Sequence, residues 1–281
     1  MLNPASPDAR GPVASRILLP TLGALSLLAF WQFAIPWFGV PKYIVPTPWQ
    51  VLQRMAADPL LLWQNFVPTL IESVLGFVFG NLAAILLAVA FVYSKPLERA
   101  YFPVVLFLNT IPVLAIAPVI ILIFGIGILP KVVIASIICF FPTLVNMTRG
   151  LEAGTPNERE VLHVLSASPF EVFWKLRAPR SLPFLFASLR ISSTACVVGA
   201  IVGEWIGANR GLGSVIIQST FNYRSDLLYA AIILSSSLAV AIFTVEYALR
   251  IWTAVEVPFL ARMKPWRARL HYATRGYLEV Q

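Results

Sequence analysis

Long stretches without a charged side chain dominate the pattern of polar and apolar positions. Lysine, arginine, aspartate and glutamate are absent from residues 17–41, 73–94, 100–130, 132–148, 191–203 and 227–245. A helix needs about 20 mostly apolar residues to cross the roughly 30 Å hydrocarbon core of a bilayer. Most of these stretches approach that length alone, and the shorter ones do so with their flanks. The pattern predicts an all-α, polytopic membrane protein with about six transmembrane helices.

The second predicted span, residues 65–93, carries small residues on one face. Gly76, Gly80 and Ala84 recur every four residues, so they lie above one another on a helix. Small residues at this spacing let two helix backbones approach closely. We therefore expect another helix to pack against this face.

The third uncharged stretch, residues 100–130, is too long for one straight span, since it would measure about 46 Å as a helix. Asn109 and Thr110 lie just before Pro112 in its middle. Proline removes a helical hydrogen bond, and a break at membrane depth is tolerated where the freed backbone is buried in protein or lines a cavity. Two interpretations stay open here: an interruption lining a solute pathway, or a proline kink satisfied by neighbouring helices.

The most polar long segment, residues 155–183, separates the fourth and fifth predicted spans. Residues 155–158 and 168–171 both read Ser/Thr-Pro-x-Glu, which combines an N-cap, a proline at the first helical position and the glutamate of a capping box. We expect two short helices in a bent hairpin, the first ending near Ser166 and the second ending near Pro179. Residues 207–226, which contain Asn-Arg-Gly-Leu-Gly at 209–213, are expected to form a loop on the outer side.

Composition and charge support a membrane protein with a defined orientation. Hydrophobic residues make up 58% of the 281 residues and charged residues 12%. With six spans and a cytoplasmic N-terminus, sixteen of the 21 lysines and arginines fall on the inside and five on the outside. Positive charge is enriched in cytoplasmic loops. Both termini and the hairpin are therefore expected in the cytoplasm, and the net charge of +8 indicates anionic membrane lipid rather than nucleic acid as its partner.

The sequence lacks the patterns of several chemical sites. No lysine follows a glycine, so there is no Gly-Lys-Ser/Thr phosphate loop. Two histidines and two cysteines, far apart in the chain, form no metal or catalytic pattern. These observations predict neither an enzyme nor a cofactor or metal site. The polar hairpin between membrane spans instead suits docking of a partner protein.

The hairpin resembles the signature loop of the membrane permeases of binding-protein-dependent ABC importers. That loop reads Glu-Ala-Ala, three residues, Gly, nine residues, Ile-x-Leu-Pro. Here residues 160–162 read Glu-Val-Leu, Ser166 occupies the glycine position, and residues 176–179 read Leu-Arg-Ala-Pro. The spacing, the glutamate and the final proline match, whereas both alanines, the glycine, the isoleucine and the leucine are replaced. A helix end at Ser166 must therefore form without the residue that most easily adopts a left-handed conformation.

Further segments resemble one branch of that family. They are Val-Pro-Thr-Pro at residues 45–48, Ile-Pro at 111–112 with Ala-Pro at 117–118, Phe-Gly-Ile-Gly at 124–127, and Gly-Glu-Trp at 203–205 continuing to Gly213. This branch imports nitrate, sulfonates and taurine, and also pyrimidine vitamin precursors and riboflavin. The resemblance implies a permease subunit in the cytoplasmic (inner) membrane that passes a small polar solute inward. Its partners would be a second permease copy as a homodimer, an extracytoplasmic solute-binding protein, and separate ATPase subunits that bind the ATP.

The resemblance and the polar residues within the spans define two candidate sites. ATPase coupling is assigned to the hairpin residues Glu160, Val161, Leu162, Val164, Leu165, Ser166, Phe170 and Pro179. The solute pathway is assigned to Asn109, Thr110, Ser192, Ser193 and Glu204. For the asparagine, the threonine and the serines the alternative is hydrogen bonding between helices. For Glu204 it is an ion pair with Arg210 at the water interface, and Glu72 is expected at the interface too.

These expectations divide the chain into three parts: a disordered tail at residues 1–15, a transmembrane permease domain at 16–260 with the coupling loop at 155–183, and a basic cytoplasmic tail at 261–281. Two other functions remain as alternatives. A self-sufficient, ion-coupled secondary transporter would show inverted repeats and several buried charges, and neither is visible in the sequence. A membrane enzyme or scaffold is the third possibility, which the missing catalytic pattern disfavours.

Overall fold

The computed structural model describes residues 13–256, so the predicted tail at 261–281 and most of that at 1–15 lie outside the described residues. Within this range the chain is helical, without strands, as predicted. Its α-helices are α1 Val13–Trp37, α2 Pro48–Ala57, α3 Pro59–Tyr93, α4 Lys95–Asn109, α5 Val113–Phe124, α6 Ile128–Glu152, α7 Pro156–Val164, α8 Pro169–Val172, α9 Ala178–Trp205, α10 Leu212–Phe221 and α11 Ser225–Glu256. A π-helix, Phe173–Arg177, joins α8 to α9.

The described helices agree with the predicted number of membrane spans. Five stretches are long and apolar enough to cross a bilayer, at Leu18–Trp37, Pro59–Tyr93, Ile128–Glu152, Pro169–Trp205 and Ser225–Ile251. Helices α4 and α5 would form a sixth span, but they meet at an angle of 103°. The predicted break at Pro112 is confirmed, because the two helices are separated there by residues 110–112.

The described residues divide into two compact units, and the first comprises residues 13–69 together with Gly207–Ser236. Its apolar core joins residues of α2, α3, α10 and α11: Val51, Leu62, Leu212, Val215, Leu227, Ala230 and Ala231. The prediction of a loop over residues 207–226 was wrong, because α10 lies within it. Two α3 side chains accept hydrogen bonds from the start of α10, Asn65 Oδ1 from the Gly211 N–H at 2.9 Å and Thr69 Oγ1 from the Leu212 N–H at 2.8 Å. Capping from a distant segment leaves no local signal in the sequence.

Among the described residues, the second unit comprises Leu70–Ile206 and residues 237–256. The small-residue face of α3 packs against α6 in this unit, as predicted. A Cβ atom built on Gly76 would lie 2.3 Å from the Ala135 Cβ, and one built on Gly80 would lie 2.4 Å from the Ser136 carbonyl oxygen. Helix α9 approaches α6 as closely, because a Cβ on Gly199 would lie 2.6 Å from the Ala135 Cα. Helices α3, α6 and α9 thus touch through their backbones.

The hairpin does not end at Pro179 as predicted, because its second helix continues into the membrane. The candidate span runs without interruption from Pro169 to Trp205. The intervening π-helix closes with the Ala178 N–H bonded to the Phe173 carbonyl, five residues back. Pro179 follows within the first two positions of α9. A changed hydrogen-bond register before the proline lets the helix tolerate its missing N–H.

Candidate functional site

Both helices of the hairpin begin as the sequence predicts. The Thr155 hydroxyl accepts from the Glu158 N–H at 3.3 Å, and the Glu158 carboxylate accepts from the Thr155 N–H at 3.0 Å. Ser168 and Glu171 form the same reciprocal pair at 3.3 and 2.9 Å. Each capping box satisfies two backbone donors that a helix start otherwise leaves free. The backbone conformation of the hairpin is therefore fixed at the start of both of its helices.

Ser166, at the position where the signature loop has glycine, adopts a left-handed conformation. Its φ is 51°, in the left-handed region. The Ser166 N–H bonds to the His163 carbonyl at 2.9 Å and the Ala167 N–H bonds to the Leu162 carbonyl at 3.0 Å. This pair of bonds is a Schellman motif, which satisfies the last carbonyls of α7. The turn after α7 thus forms with a serine, at a cost of roughly 1–2 kcal/mol for a residue with a Cβ.

Apolar contacts attach one side of the hairpin to the rest of the second unit. Leu176 is buried, and a Cβ on Gly154 would lie 3.1 Å from its Cδ2. The ring of Phe173 lies 6.1 Å from that of Tyr93, at the end of α3. These contacts pack the π-helix against the end of α3 and against the segment that follows α6.

Ionic contacts add to this attachment. The Arg159 guanidinium donates to the Glu152 carbonyl at 2.7 Å, and Arg180 of α9 forms an ion pair with Glu158 of α7. Burial opposes ionisation of the Glu158 carboxyl. The hydrogen bonds from Thr155 and the charge of Arg180 outweigh it and lower the pKa of Glu158 from its usual value. The carboxylate form of Glu158 therefore links α7 to α9.

The other side of the hairpin exposes large apolar side chains. Leu165 is 69% exposed and Val164 is 77% exposed. We call the exposed set the hairpin patch: Val161, Val164, Leu165, Phe170 and Trp174. Exposed apolar side chains clustered on a polar segment indicate a surface that another protein covers.

The predicted coupling residues fall partly in the hairpin patch. Glu160 is exposed next to it in the chain, Leu162 is half-buried, and Pro179 lies at the start of α9 outside it. Trp174 is an exposed aromatic residue that the sequence interpretation missed. Its ring makes an edge contact with that of Phe170 at 6.2 Å. The four-residue spacing of the two aromatic residues is the signal that could have found it.

A cavity in the second unit lies beside the broken helix pair. Its volume is about 840 Å³, and α3, α4, α5 and α6 line it. Asn109 and Ser136 are the polar side chains in its lining. The other contributors are glycine and apolar residues, including Phe79, Phe140 and Phe141. The break at Pro112 therefore borders a cavity, which was one of the two interpretations of the sequence.

The remaining polar candidates lie elsewhere. The Thr110 hydroxyl donates to the Phe107 carbonyl at 2.7 Å in the bend itself. Ser192 is fully buried and donates to the Cys139 carbonyl at 3.3 Å. Ser193 is also buried and donates to the Arg190 carbonyl at 2.8 Å. The structure thus places the two serines in helix contacts and brings only Asn109 to the cavity.

Two acidic residues that the sequence analysis singled out, Glu72 and Glu204, are both buried in the second unit. Glu204 is fully buried, as its position near the outer end of a span suggested. The expectation that Glu72 lies at the interface was wrong, because it is 2% exposed and accepts a hydrogen bond from Lys131 Nζ at 2.9 Å. Lys131 comes from the start of α6, more than fifty residues away in the chain, and no local pattern links the two. A buried carboxylate requires such a partner.

Residues 80–251 match the sequence model of a family described as the binding-protein-dependent transport system inner membrane component. This range holds the cavity lining from Gly80 onwards, α7, the hairpin patch and α9. The chain belongs to this family. It is therefore a multi-pass inner membrane permease subunit of an ABC importer, as the loop resemblance implied.

Curated relatives and a solved structure agree with the family. The chain is 32% identical to the formylaminopyrimidine transport permease protein ThiX of Halalkalibacterium halodurans, over 79% of this chain and 89% of the relative. It is 32% identical to the riboflavin transport system permease protein RibX of Chloroflexus aurantiacus, over 76% and 82%. An inward-facing structure of the MetNI methionine ABC transporter has the same fold, with a TM-score of 0.54, 20% identity, and coverage of 73% of this chain and 97% of the solved one.

Family membership decides between the classes of function that the sequence left open. Permeases of this family are transport subunits, not enzymes, and work with ATPase subunits and a solute-binding protein. A self-sufficient, ion-coupled transporter is not favoured, since no relative named above is of that kind. The protein is thus one component of a larger complex.

Proposed function

We propose that this permease imports a nitrogen heteroaromatic solute, such as a pyrimidine vitamin precursor or riboflavin. The observation that carries the proposal is its 32% identity to permeases named for formylaminopyrimidine and for riboflavin. Both names denote molecules with a flat, nitrogen-containing ring. The sulfonate, nitrate and taurine solutes of the same branch are small anions without such a ring.

The chemistry of the cavity supports a flat, uncharged ring system. Its lining contains three phenylalanines, and Asn109 and Ser136 offer hydrogen bonds without a positive charge. Aromatic and aliphatic walls with few polar groups suit a heteroaromatic solute. A sulfonate or nitrate ion would lose its hydration there without a cation to compensate it. We infer that Asn109 contacts the solute, whereas Thr110, Ser192 and Ser193 support the helices.

Reconstitution with the cognate ATPase and solute-binding protein tests this solute class. Formylaminopyrimidine or riboflavin should stimulate ATP hydrolysis above the level with unloaded binding protein, and taurine should not. Stimulation by taurine alone would contradict the proposal, and omission of the binding protein is the control.

We also propose that the permease forms a homodimer. The same preparation, weighed by native mass spectrometry, should therefore contain two permease copies.

We propose that nucleotide-driven motion of the ATPase subunits reaches this permease through the hairpin patch. Each ATPase subunit would receive this patch and Glu160 in a groove, and nucleotide-driven motion would pass through Phe173 and Leu176 to the spans. ATP would be bound by the ATPase alone, so this chain would need no cofactor. Val164 and Leu165 are exposed, whereas the opposite side of the hairpin packs against the rest of the second unit. This arrangement supports the assignment.

We propose that both termini and the hairpin lie in the cytoplasm, supported by the sixteen-to-five distribution of positive charge. Ala57 and Asn157 are exposed positions that should lie on opposite sides of the membrane. In a background whose buried Cys139 and Cys196 are alanine, an impermeant thiol reagent should label Ala57→Cys from outside. Asn157→Cys should be labelled only after lysis. Labelling of Asn157→Cys in intact cells would reverse this orientation.

A further inference from the structure

A tight turn ends α10 in the first unit. Its residues 221–224 read Phe-Asn-Tyr-Arg, and we call them the α10 turn. The Tyr223 N–H bonds to the Thr220 carbonyl at 3.3 Å, and the Arg224 N–H bonds to the Ser219 carbonyl at 2.9 Å. These two bonds form a Schellman motif, whose left-handed position usually holds glycine.

Tyr223 occupies that left-handed position, with a φ of 53°. A residue with a large side chain adopts this conformation only under strain. Its side chain is 74% exposed, so little of the ring is buried in compensation. Among the described residues other than glycine, Ser166 of the hairpin is the other one with a positive φ. Because backbone strain of this kind is concentrated at functional sites, the α10 turn is a candidate for one.

The side chains of the α10 turn are of types that protein interfaces favour. Phe221 is 76% exposed, and Arg224 is exposed as well. Tyrosine and arginine carry much of the binding energy at protein–protein interfaces, and phenylalanine is enriched in them. The composition of the turn therefore suits contact with another protein.

The charges of the first unit leave Arg224 without an acidic partner. The described part of this unit holds two acidic side chains, Asp58 and Asp226. Arg54 pairs with both, at 2.7 Å and 3.8 Å respectively. Arg210 is a second exposed cation of the unit. An acidic partner surface would complement this excess of positive charge.

A polar pocket of about 180 Å³ adjoins the α10 turn. Asn222 and Arg224 of the turn line it, together with Gln218 of α10 and Asn209 of the preceding segment. All four side chains are exposed, so their amide and guanidinium groups are accessible to a partner. A carboxylate accepts hydrogen bonds from both kinds of donor, and most strongly from a guanidinium. The pocket therefore suits a single acidic side chain.

The ends of this surface are held in place by bonds to distant segments. Asn65 and Thr69 of α3 bind the first N–H groups of α10. Directly after the turn, the Ser225 hydroxyl donates to the Tyr43 carbonyl. A surface that is already ordered loses little conformational freedom when a partner binds.

We propose that the α10 turn and its pocket dock the solute-binding protein, with an acidic side chain of that protein in the pocket, paired with Arg224. The family is described by its dependence on a binding protein. The proposal rests on the proposed orientation, which places the α10 turn on the outer side, where this partner arrives. An anionic lipid headgroup is a weaker candidate, because clusters of lysine and arginine hold such headgroups, whereas this pocket lining contains one cation among neutral amides.

The affinity of the cognate solute-binding protein, as isolated from cells, for the permease–ATPase complex in lipid nanodiscs tests the surface. Since no solute is added, the result does not depend on the proposed solute class. Arg224→Ser should weaken binding about tenfold and reduce the dependence of the affinity on sodium chloride. Arg99→Ser removes the same charge at an exposed position of α4, on the proposed cytoplasmic side, and should bind as the wild type does.

Tyr223→Gly tests the turn without disturbing its conformation. Glycine adopts the left-handed position without strain, so the melting temperature of the complex should not fall. Loss of the ring should nevertheless weaken binding of the solute-binding protein. If Arg224→Ser fails to assemble, Gln218→Ala at an exposed position of the same pocket supplies the second test and should also weaken binding.

Three outcomes would overturn the proposal. Wild-type affinity in both Arg224→Ser and Tyr223→Gly would show that the solute-binding protein docks elsewhere. Unchanged affinity, with a melting temperature that anionic lipid raises in the wild type and not in Arg224→Ser, would assign the pocket to a lipid headgroup. Weaker binding by Arg99→Ser alone would reverse the proposed orientation, and this result separates a wrong orientation from a wrong docking surface.

Discussion

Leu165→Asp should abolish the ATP hydrolysis that solute-loaded binding protein stimulates, while the permease still inserts into the membrane. The side chain is 69% exposed in the isolated chain, so the substitution removes no internal packing. In the complex it would place a carboxylate in the apolar groove that receives the hairpin patch, at a cost of a few kcal/mol. A loss of about 3 kcal/mol weakens docking by roughly two orders of magnitude. Co-purification of the ATPase and stimulated hydrolysis measure the effect.

Matched variants separate docking from a general effect of charge. Asn157→Asp adds the same charge at an exposed position of α7 outside the hairpin patch and should assemble and hydrolyse ATP as the wild type does. Glu160→Ala removes the acid that matches the family's signature and should weaken the same assembly. If Leu165→Asp supports normal transport, the hairpin patch is not where the ATPase docks.

Gly80→Ala should destabilise the permease, although alanine favours a helix over glycine by about 1 kcal/mol. The added Cβ would lie 2.4 Å from the Ser136 carbonyl oxygen and 2.9 Å from the Ser136 Cα. These are backbone atoms of α6, so α3 and α6 would have to separate. Overpacking of this kind costs roughly 1–3 kcal/mol. We expect a lower melting temperature in detergent and reduced yield.

Gly23→Ala is the control for this substitution. Gly23 lies in α1, and a Cβ built there meets no atom within 4 Å. The change should leave the melting temperature unaltered or raise it slightly, since only the helix preference of alanine acts. Equal melting temperatures for Gly80→Ala and the wild type would show that the close approach of α3 to α6 does not limit stability.

The sequence predicts the hairpin backbone well because the responsible interactions are local. A capping box joins residues three apart, so the residue types of Thr155 and Glu158 are enough to predict the helix start. The turn at Ser166 follows the same rule, since its two closing bonds reach back only three and five residues. The course of the chain after Phe173 was mispredicted, because a π-turn shifts the hydrogen-bond register before Pro179 and the proline then continues the helix.

Candidate site residues were harder to assign than helices. Asn109 does border a cavity, but Ser192 and Ser193 form helix contacts. A polar residue in a span forms its hydrogen bonds either with atoms of its own or a neighbouring helix, or with groups in a cavity. The sequence records its type and not the direction it faces relative to neighbouring helices. The spacing of Phe170 and Trp174 indicates that they share a face, but only the structure shows that this face of the hairpin is the exposed one.

The sequence by itself determined the membrane class, about six spans, the break at Pro112 and the helix starts of the hairpin. These depend on apolar length, on proline and on contacts within one helical turn. Only the tertiary structure decided that α10 exists, with its first N–H groups bound by Asn65 and Thr69. It also decided that Glu72 is buried and accepts a hydrogen bond from Lys131. Such partners are brought together by packing of helices distant in the chain, so no local pattern encodes them.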